Sequence, residues 1–304
     1  MLCALYNYSR QAWYDRQKRH NEASEHEAVV IRLVVAQRTR LQTAGGKKLY
    51  VLLKATLQAH GIKMGRDKFI AVLGKHGLLQ PRLKRRGPAT TDSAHWFRTY
   101  PNLIKELEIK RPEQVWVSDM TYLRCEKGFY YLWLITDAYS KRIMGYSLDT
   151  TQEASGSVRA LRMAIAARQY DGELTHHSDR GKQYCSNQYV KALRGAGIDI
   201  SMTEEGRASE NAIAERINRT LKQEFALRNV QGSLAQARRL VNKAVRVYNN
   251  VRPHLSCGML TPDQAHRQST MERKVWKRKK RSYPLIHSSI KQNFSALSPE
   301  LSTV

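Results

Sequence analysis

Carboxylates are scarce in this chain: 26 Asp and Glu stand against 52 Lys and Arg over 304 residues, a formal charge of +26. So large an excess favours a polyanion partner and steers it by field, although charge alone does not separate DNA from RNA or an anionic membrane. Long apolar runs are missing too. No stretch approaches the ~18 residues of a spanning helix, and the first residues, MLCALYNYSRQAWYDR, lack a signal-peptide core. A soluble, cytoplasmic protein with no membrane partner is the expectation. Cysteine is sparse: Cys3, Cys125, Cys185 and Cys257 are too scattered for a CxxC site and read as free thiols in a reducing compartment. His176 and His177 have no Cys or His at zinc-finger spacing around them, so their expected role is packing or hydrogen bonding beside Asp179. The length suffices for a substantial core and, as a prior, for about two domains.

Three of the few carboxylates stand in informative surroundings. Asp119 follows the apolar run VWV, which suits a buried strand, so its side chain emerges at or near a strand end. Asp179 lies 60 positions later, after a weaker strand candidate (Leu174 to Ser178) and just before Gly181, where the chain can turn. Glu215 follows Asp179 with 35 residues between them and sits in a helical pattern, with Ile213, Ile217, Leu221 and Phe225 at offsets of four. Asn211, Glu215, Asn218 and Lys222 then fall along one polar face. Two strand-end aspartates facing a helical glutamate make a hard, oxygen-rich site. Such a site suits Mg2+ or Mn2+, bound as a pair about 3.5 to 4 Å apart, for in-line phosphodiester displacement.

Four strings carry a family likeness: WVSDMTY (116–122), HHSDRGKQYCS (176–186), ENAIAERINRTLKQE (210–224), and YNNVRPH (248–254) followed by LTP (260–262). In this order and with this 35-residue gap they resemble the catalytic domain of IS3-family insertion-sequence transposases, in particular their second-frame protein. The likeness runs from about Tyr8 to Arg267. It implies an α/β, RNase H-like core of the retroviral integrase type, with a mixed five-stranded sheet. It also implies a DDE triad of Asp119, Asp179 and Glu215, which are both catalytic and metal-binding. Lys222, seven residues after Glu215, matches the basic residue thought to touch terminal DNA. His177, Asn211 and Arg252 are supporting residues. One departure stands out: where the family commonly has Gly-Asn-Pro-Tyr-Asp-Asn-Ala, this chain reads Gly206-Arg207-Ala208-Ser209-Glu210-Asn211-Ala212, without the proline.

Along the chain the expected divisions are a basic, aromatic arm (1–28), a small helical domain (29–80), a basic linker (81–110), the integrase-like core (111–270) and a basic tail (271–304). Apolar spacing predicts helices over 27–43, 47–58 and 65–75, the last two separated by a turn at Gly61 in the manner of a helix-turn-helix. Arg66 and Lys68 fall near the start of the third. Arg82, Lys84, Arg85 and Arg86 concentrate charge in the linker, and Lys277, Lys279 and Lys280 in the tail; phosphate contacts are the expected use of all of them. Within the core the order reads β-β-β-α-β-α-β-α, and the first and fourth strands are expected to lie adjacent, bringing Asp119 to Asp179.

The resemblance implies a transposase that binds the inverted repeats of its element, frees a 3'-hydroxyl and joins it to target DNA. It implies double-stranded DNA as partner, a homo-oligomer on that DNA, a small upstream helix-turn-helix protein, fused or separate, and a bacterial, nucleoid-associated location. Two alternatives stay open: an RNase H-like nuclease that cuts without joining, and a catalytically silent DNA-binding regulator.

Overall fold

The computed structural model describes residues 9–81, 96–126, 128–204 and 208–268. Three helices come first: α1 (Arg10–Arg38), α2 (Gly46–Ala59) and α3 (Arg66–Lys75). α1 begins where Ser9 accepts the Ala12 amide at 3.0 Å, well ahead of the start that apolar spacing predicts. Only Val30 and Val34 of α1 are buried, so its first half has no apolar stripe to betray it. Gly45 and Gly46, expected to end that helix, instead open α2. Val34, Leu49, Leu53, Leu57, Phe69 and Leu73 close a small core of their own, and Gly61, at φ +71°, makes the turn that lets α3 pack back on α2.

The sheet contains β1 (Val115–Cys125), β2 (Gly128–Asp137), β3 (Ile143–Asp149), β4 (Thr175–Ser178) and β5 (Asp199–Met202), in spatial order β3-β2-β1-β4-β5. The first three pair antiparallel as a meander, while β1/β4 and β4/β5 pair parallel, so the mixed five-stranded sheet is the expected one. Alternation along β2 feeds two cores. Trp133 and Ile135 pack with α4 (Ala154–Ala166), α5 (Lys182–Cys185) and α6 (Asn187–Gly195) on one face. Leu132 and Leu134 pack with α7 (Ala212–Glu224) and α8 (Leu234–Asn250) on the other. β3 approaches α4 so closely that a Cβ on Gly145 would lie 2.1 Å from the Ala160 carbonyl oxygen; only glycine fits. On α8, Ala237, Val241, Ala244 and Tyr248 are buried as the pattern predicts, whereas Leu240, at the margin of the stripe, is left exposed.

Two further features fix the frame. Residues 97–109, read as linker from their charge, pack on the core: the Pro101 carbonyl accepts the Met202 amide, the Leu103 amide donates to Ser201 Oγ, and Ile104 and Ile109 cover Val115 and Val117. The short helix α9 (Pro262–His266) is held by a buried network in which His266 Nε2 meets Glu113 at 3.1 Å and His266 Nδ1 meets Ser140 Oγ at 3.0 Å. The same Ser140 hydroxyl donates to Asp137 at 2.6 Å.

Candidate active site

β1 and β4 run parallel with Val115 opposite Thr175 and Val117 opposite His177. Carried two residues further, that offset sets Asp119 beside Asp179, the first residue beyond β4. The Gly181 amide donates to Asp179 Oδ1 at 3.1 Å, which turns the chain immediately after the carboxylate. Asp119 shares its side of β1 with Val115 and Val117, which pack against Ala214 of α7, so both aspartates are directed to the α7 side of the sheet.

Helix α7 is anchored over β1 at two points, two turns apart. Asn211 donates to the Ser118 carbonyl at 2.8 Å, and Asn218 donates to Asp119 Oδ2 at 2.7 Å. Glu215 lies four residues after the first and three before the second, on the same face. Its side chain is exposed, while Ile217 and Leu221 bury the opposite stripe in the core. The approach to α7 is clamped by Glu210, whose Oε2 accepts the Glu204 amide and the Asn102 side chain, each at 2.8 Å. Glu210 therefore ties the start of α7 to the residues that follow β5 and to Asn102.

The electrostatics single out Asp119. Burial first, then the charge of Asp179 and, more weakly, of Glu215, push its carboxyl up to about 7, against the opposing bond from Asn218. Lys222 is part-buried at the far end of the same face; burial pulls its ammonium down while the charge of Asp119 pushes it up. Among the described residues, no three His, Cys, Asp or Glu side chains converge tightly enough to enclose a metal ion as they stand. The donors nonetheless suit a hard cation: three carboxylates, two adjacent and mutually repelling, with no sulfur or imidazole directed at them. His176 is bonded to Ser118 Oγ and the Tyr189 hydroxyl, and His177 to Ser201 Oγ. Burial holds the two imidazoles down at about 3 and about 4, so they are neutral core groups. Burial and Asp179 together push the Cys185 thiol up to about 11, leaving it unreactive.

Arg252 sits at some distance from this cluster. It grips Glu224, at the end of α7, through Nε at 2.7 Å and Nη2 at 2.8 Å, and its guanidinium lies over Tyr248. Lys48 of α2 reaches the same carboxylate at 2.6 Å, and Thr43 donates to the Gln223 carbonyl at 2.7 Å. Burial first and then Arg252 hold the Lys48 ammonium down, whereas Glu224 is held down chiefly by Arg252, so the guanidinium supplies the favourable part of this trio. The helical region is thus seated on the end of the Glu215 helix. Arg66 and Lys68 are exposed at the start of α3, with Arg66 paired to Asp67 at 2.8 Å. Arg82, Lys84, Arg85, Arg86, Lys277, Lys279 and Lys280 lie outside the described residues. Sequence reasoning passed over Glu210, Asn218 as a partner of Asp119, and Glu224. Of these, only Asn218 had a signal, its place on the polar face.

The chain matches the family model for the integrase core domain over residues 109–208, and a second integrase core model over residues 196–262. It is 28% identical over 272 residues to transposase InsF for insertion sequence IS3A of Escherichia coli, covering 86% of this chain and 92% of that one. Among solved structures, the trimeric form of the HTLV-2 integrase catalytic core domain in complex with magnesium aligns with a TM-score of 0.42 and 19% identity, over 51% of this chain and 97% of that one. The insertion element IS600 uncharacterized 31 kDa protein of Shigella sonnei is 31% identical over 267 residues, spanning 86% of this chain and 96% of its own length. Matched at that level over most of its length, around an integrase core, the chain belongs to the IS3 family of insertion-sequence transposases.

Proposed function

We propose that the protein binds the inverted repeats of its element as double-stranded DNA, cleaves there, and joins the freed 3'-hydroxyl to target DNA, with Asp119, Asp179 and Glu215 as the metal-binding, catalytic triad. One observation carries this reading: Asp119 stands beside Asp179 across the β1/β4 ladder, beneath a helix pinned to Asp119 by Asn218, with Glu215 one turn away. Burying Asp119, and then setting Asp179 and Glu215 near it, until its carboxyl rises to about 7 is costly without a cation to offset it. The three carboxylates would hold Mg2+ or Mn2+, two ions for three ligand side chains. A metal held there would supply Lewis-acid activation of the attacking oxygen and charge stabilisation of the leaving one.

The chain's own residues do the rest. Asn218 fixes the orientation of the Asp119 carboxylate, which would hold the ion, and Asn211 keeps α7 from sliding along β1. Lys222 carries positive charge toward Asp119 along the path of entering DNA, where it meets a phosphate or a base edge near the cut. Cleavage breaks a P–O3' bond as water bonds to phosphorus, and joining breaks a target P–O bond as the 3'-oxygen bonds in its place. No oxidant or nucleotide cofactor is needed. Arg66 and Lys68, with the basic linker and tail, supply phosphate contacts, and a homo-oligomer assembles on the DNA. The transposase names of its relatives support the DNA substrate. A partner encoded upstream, fused or separate, fits a second-frame product.

The test is a joining assay with purified chain, duplexes ending in the element's repeats, a supercoiled target and Mg2+. Covalently joined end and target DNA is the expected product. Cut ends with no joined product would instead identify a hydrolytic nuclease.

A further inference from the structure

A second concave site lies on the sheet edge beyond β5, formed by residues that the triad leaves unused. Trp96, Phe97, Arg98 and Tyr100 meet the first turns of α6 over a cavity of about 280 Å³, whose other walls are Cys185, Asn187, Val190 and Arg194. Phe97 and Tyr100 are anchored in the main core, but Trp96 is left 88% exposed, its ring stacked on Phe97 at 4.5 Å and 22°. Arg98 lies 5.6 Å over the Tyr100 ring. Asn187, Val190 and Arg194 share one face of α6, so an apolar floor is rimmed by an amide and two guanidiniums, with no carboxylate among the described residues of the lining.

An indole held open to water beside a stacked ring is a surface awaiting a flat partner. The cavity falls just below the roughly 300 Å³ at which drug-sized ligand sites begin, which suits one planar ring and not a base pair. Its cationic rim suits a phosphate on either side of that ring. The position matters as well. Cys185 in the wall is six residues from Asp179, through the Gly181 turn and the single turn of α5, so site and triad are at most about 20 Å apart.

We infer that this pocket binds an unpaired base of the DNA whose end lies at the triad, with Trp96 and Phe97 as the stacking platform and Arg98 and Arg194 on the flanking phosphates. The inference rests on the proposed DNA function and adds a demand for single-stranded character next to the cut. The pocket's place in the fold makes it a positioning site, since it touches the strand and not the reacting atoms.

Binding is measured by fluorescence anisotropy with a labelled duplex that carries a short unpaired thymine extension and with the same duplex blunt. The full-length chain should prefer the extended duplex roughly ten-fold, the range expected for stacking one base on an aromatic ring. Trp96→Ala should lose that preference while binding the blunt duplex as before, and Trp96→Phe should keep part of it. An exposed side chain makes the fold insensitive to either change. Equal binding of the two duplexes by the wild type, or a preference that survives Trp96→Ala, overturns the stacking site and leaves the DNA function standing. Failure to bind either duplex overturns both.

Discussion

Asn218 donates to Asp119 Oδ2 at 2.7 Å across 99 positions of sequence, and this single bond fixes the helix bearing Glu215 to the strand bearing the first aspartate. The Met120 amide also bonds to the Asp119 carboxylate, so the group is held from its own strand as well as from the helix. The helix gains a defined rotation, because the second anchor, from Asn211 to the Ser118 carbonyl, holds it two turns away.

Asn218→Ala should therefore retain the fold and impair chemistry. Loss of one buried hydrogen bond costs about 1 kcal/mol in stability. Disturbing a group that orients a metal ligand should lower the rate of end cleavage about 10- to 100-fold, read by single-turnover kinetics at saturating protein. A wild-type rate would show that Asn218 only packs.

The raised Asp119 carboxyl predicts a pH-dependent instability of the metal-free protein. Its native value of about 7 exceeds the ordinary 3.8, so the unfolded chain releases this proton first. Stability should fall as pH rises from about 4 to about 7. Asp119→Asn, which can still accept from Asn218, removes this penalty. In chelator the variant should be more stable than the wild type by on the order of 4 kcal/mol at pH 8 and no more stable at pH 4. Thermal melts at the two pH values check it, and an equal change at both would contradict it.

Arg252→Ala should act on stability first. It leaves Glu224 with Lys48 alone, a partner whose ammonium is already held down by burial, and breaking such a pair costs about 3 kcal/mol. A double-mutant cycle with Lys48→Met, followed by urea unfolding, should show coupling between the helical region and the end of α7. Additive effects would mean that the two contacts to Glu224 are independent.

Lys222 separates two readings by kinetics. If it contacts end DNA, Lys222→Ala should keep its fold and its metal affinity but lose cleavage of cognate ends, and Lys222→Arg should restore only part, since a planar fork places charge differently. Wild-type rates for Lys222→Ala on both cognate and scrambled duplexes would remove the end contact.

Periodicity made much of this architecture readable. The aromatic and β-branched richness of VWVSDMTYL and FYYLWLITD and the four-residue spacing of Ile213, Ile217 and Leu221 each survive in the structure as β1, β2 and α7. The adjacency of Asp119 and Asp179 followed from strand order. What stayed hidden had no local signature. The first half of α1 has no buried residue, and charge in residues 81–110 masked Ile104 and Ile109, which cover β1. The bond of His266 to Glu113 joins residues 153 positions apart, and no spacing rule reports that pairing. Glu215 lies on the face it shares with Asn211 and Asn218, as its spacing predicts, and its side chain is exposed.

Asp119, Asp179 and Glu215 are proposed to act together on DNA through bound metal. The measurement that tests it most directly is strand cleavage and joining on element-end duplexes in Mg2+ by Asp119→Asn, Asp179→Asn and Glu215→Gln, each purified and shown by gel shift to bind the ends as the wild type does. Each swap removes one ligand charge with almost no change of volume. The account predicts that all three lose both reactions while binding persists; full activity in any one of them would contradict it.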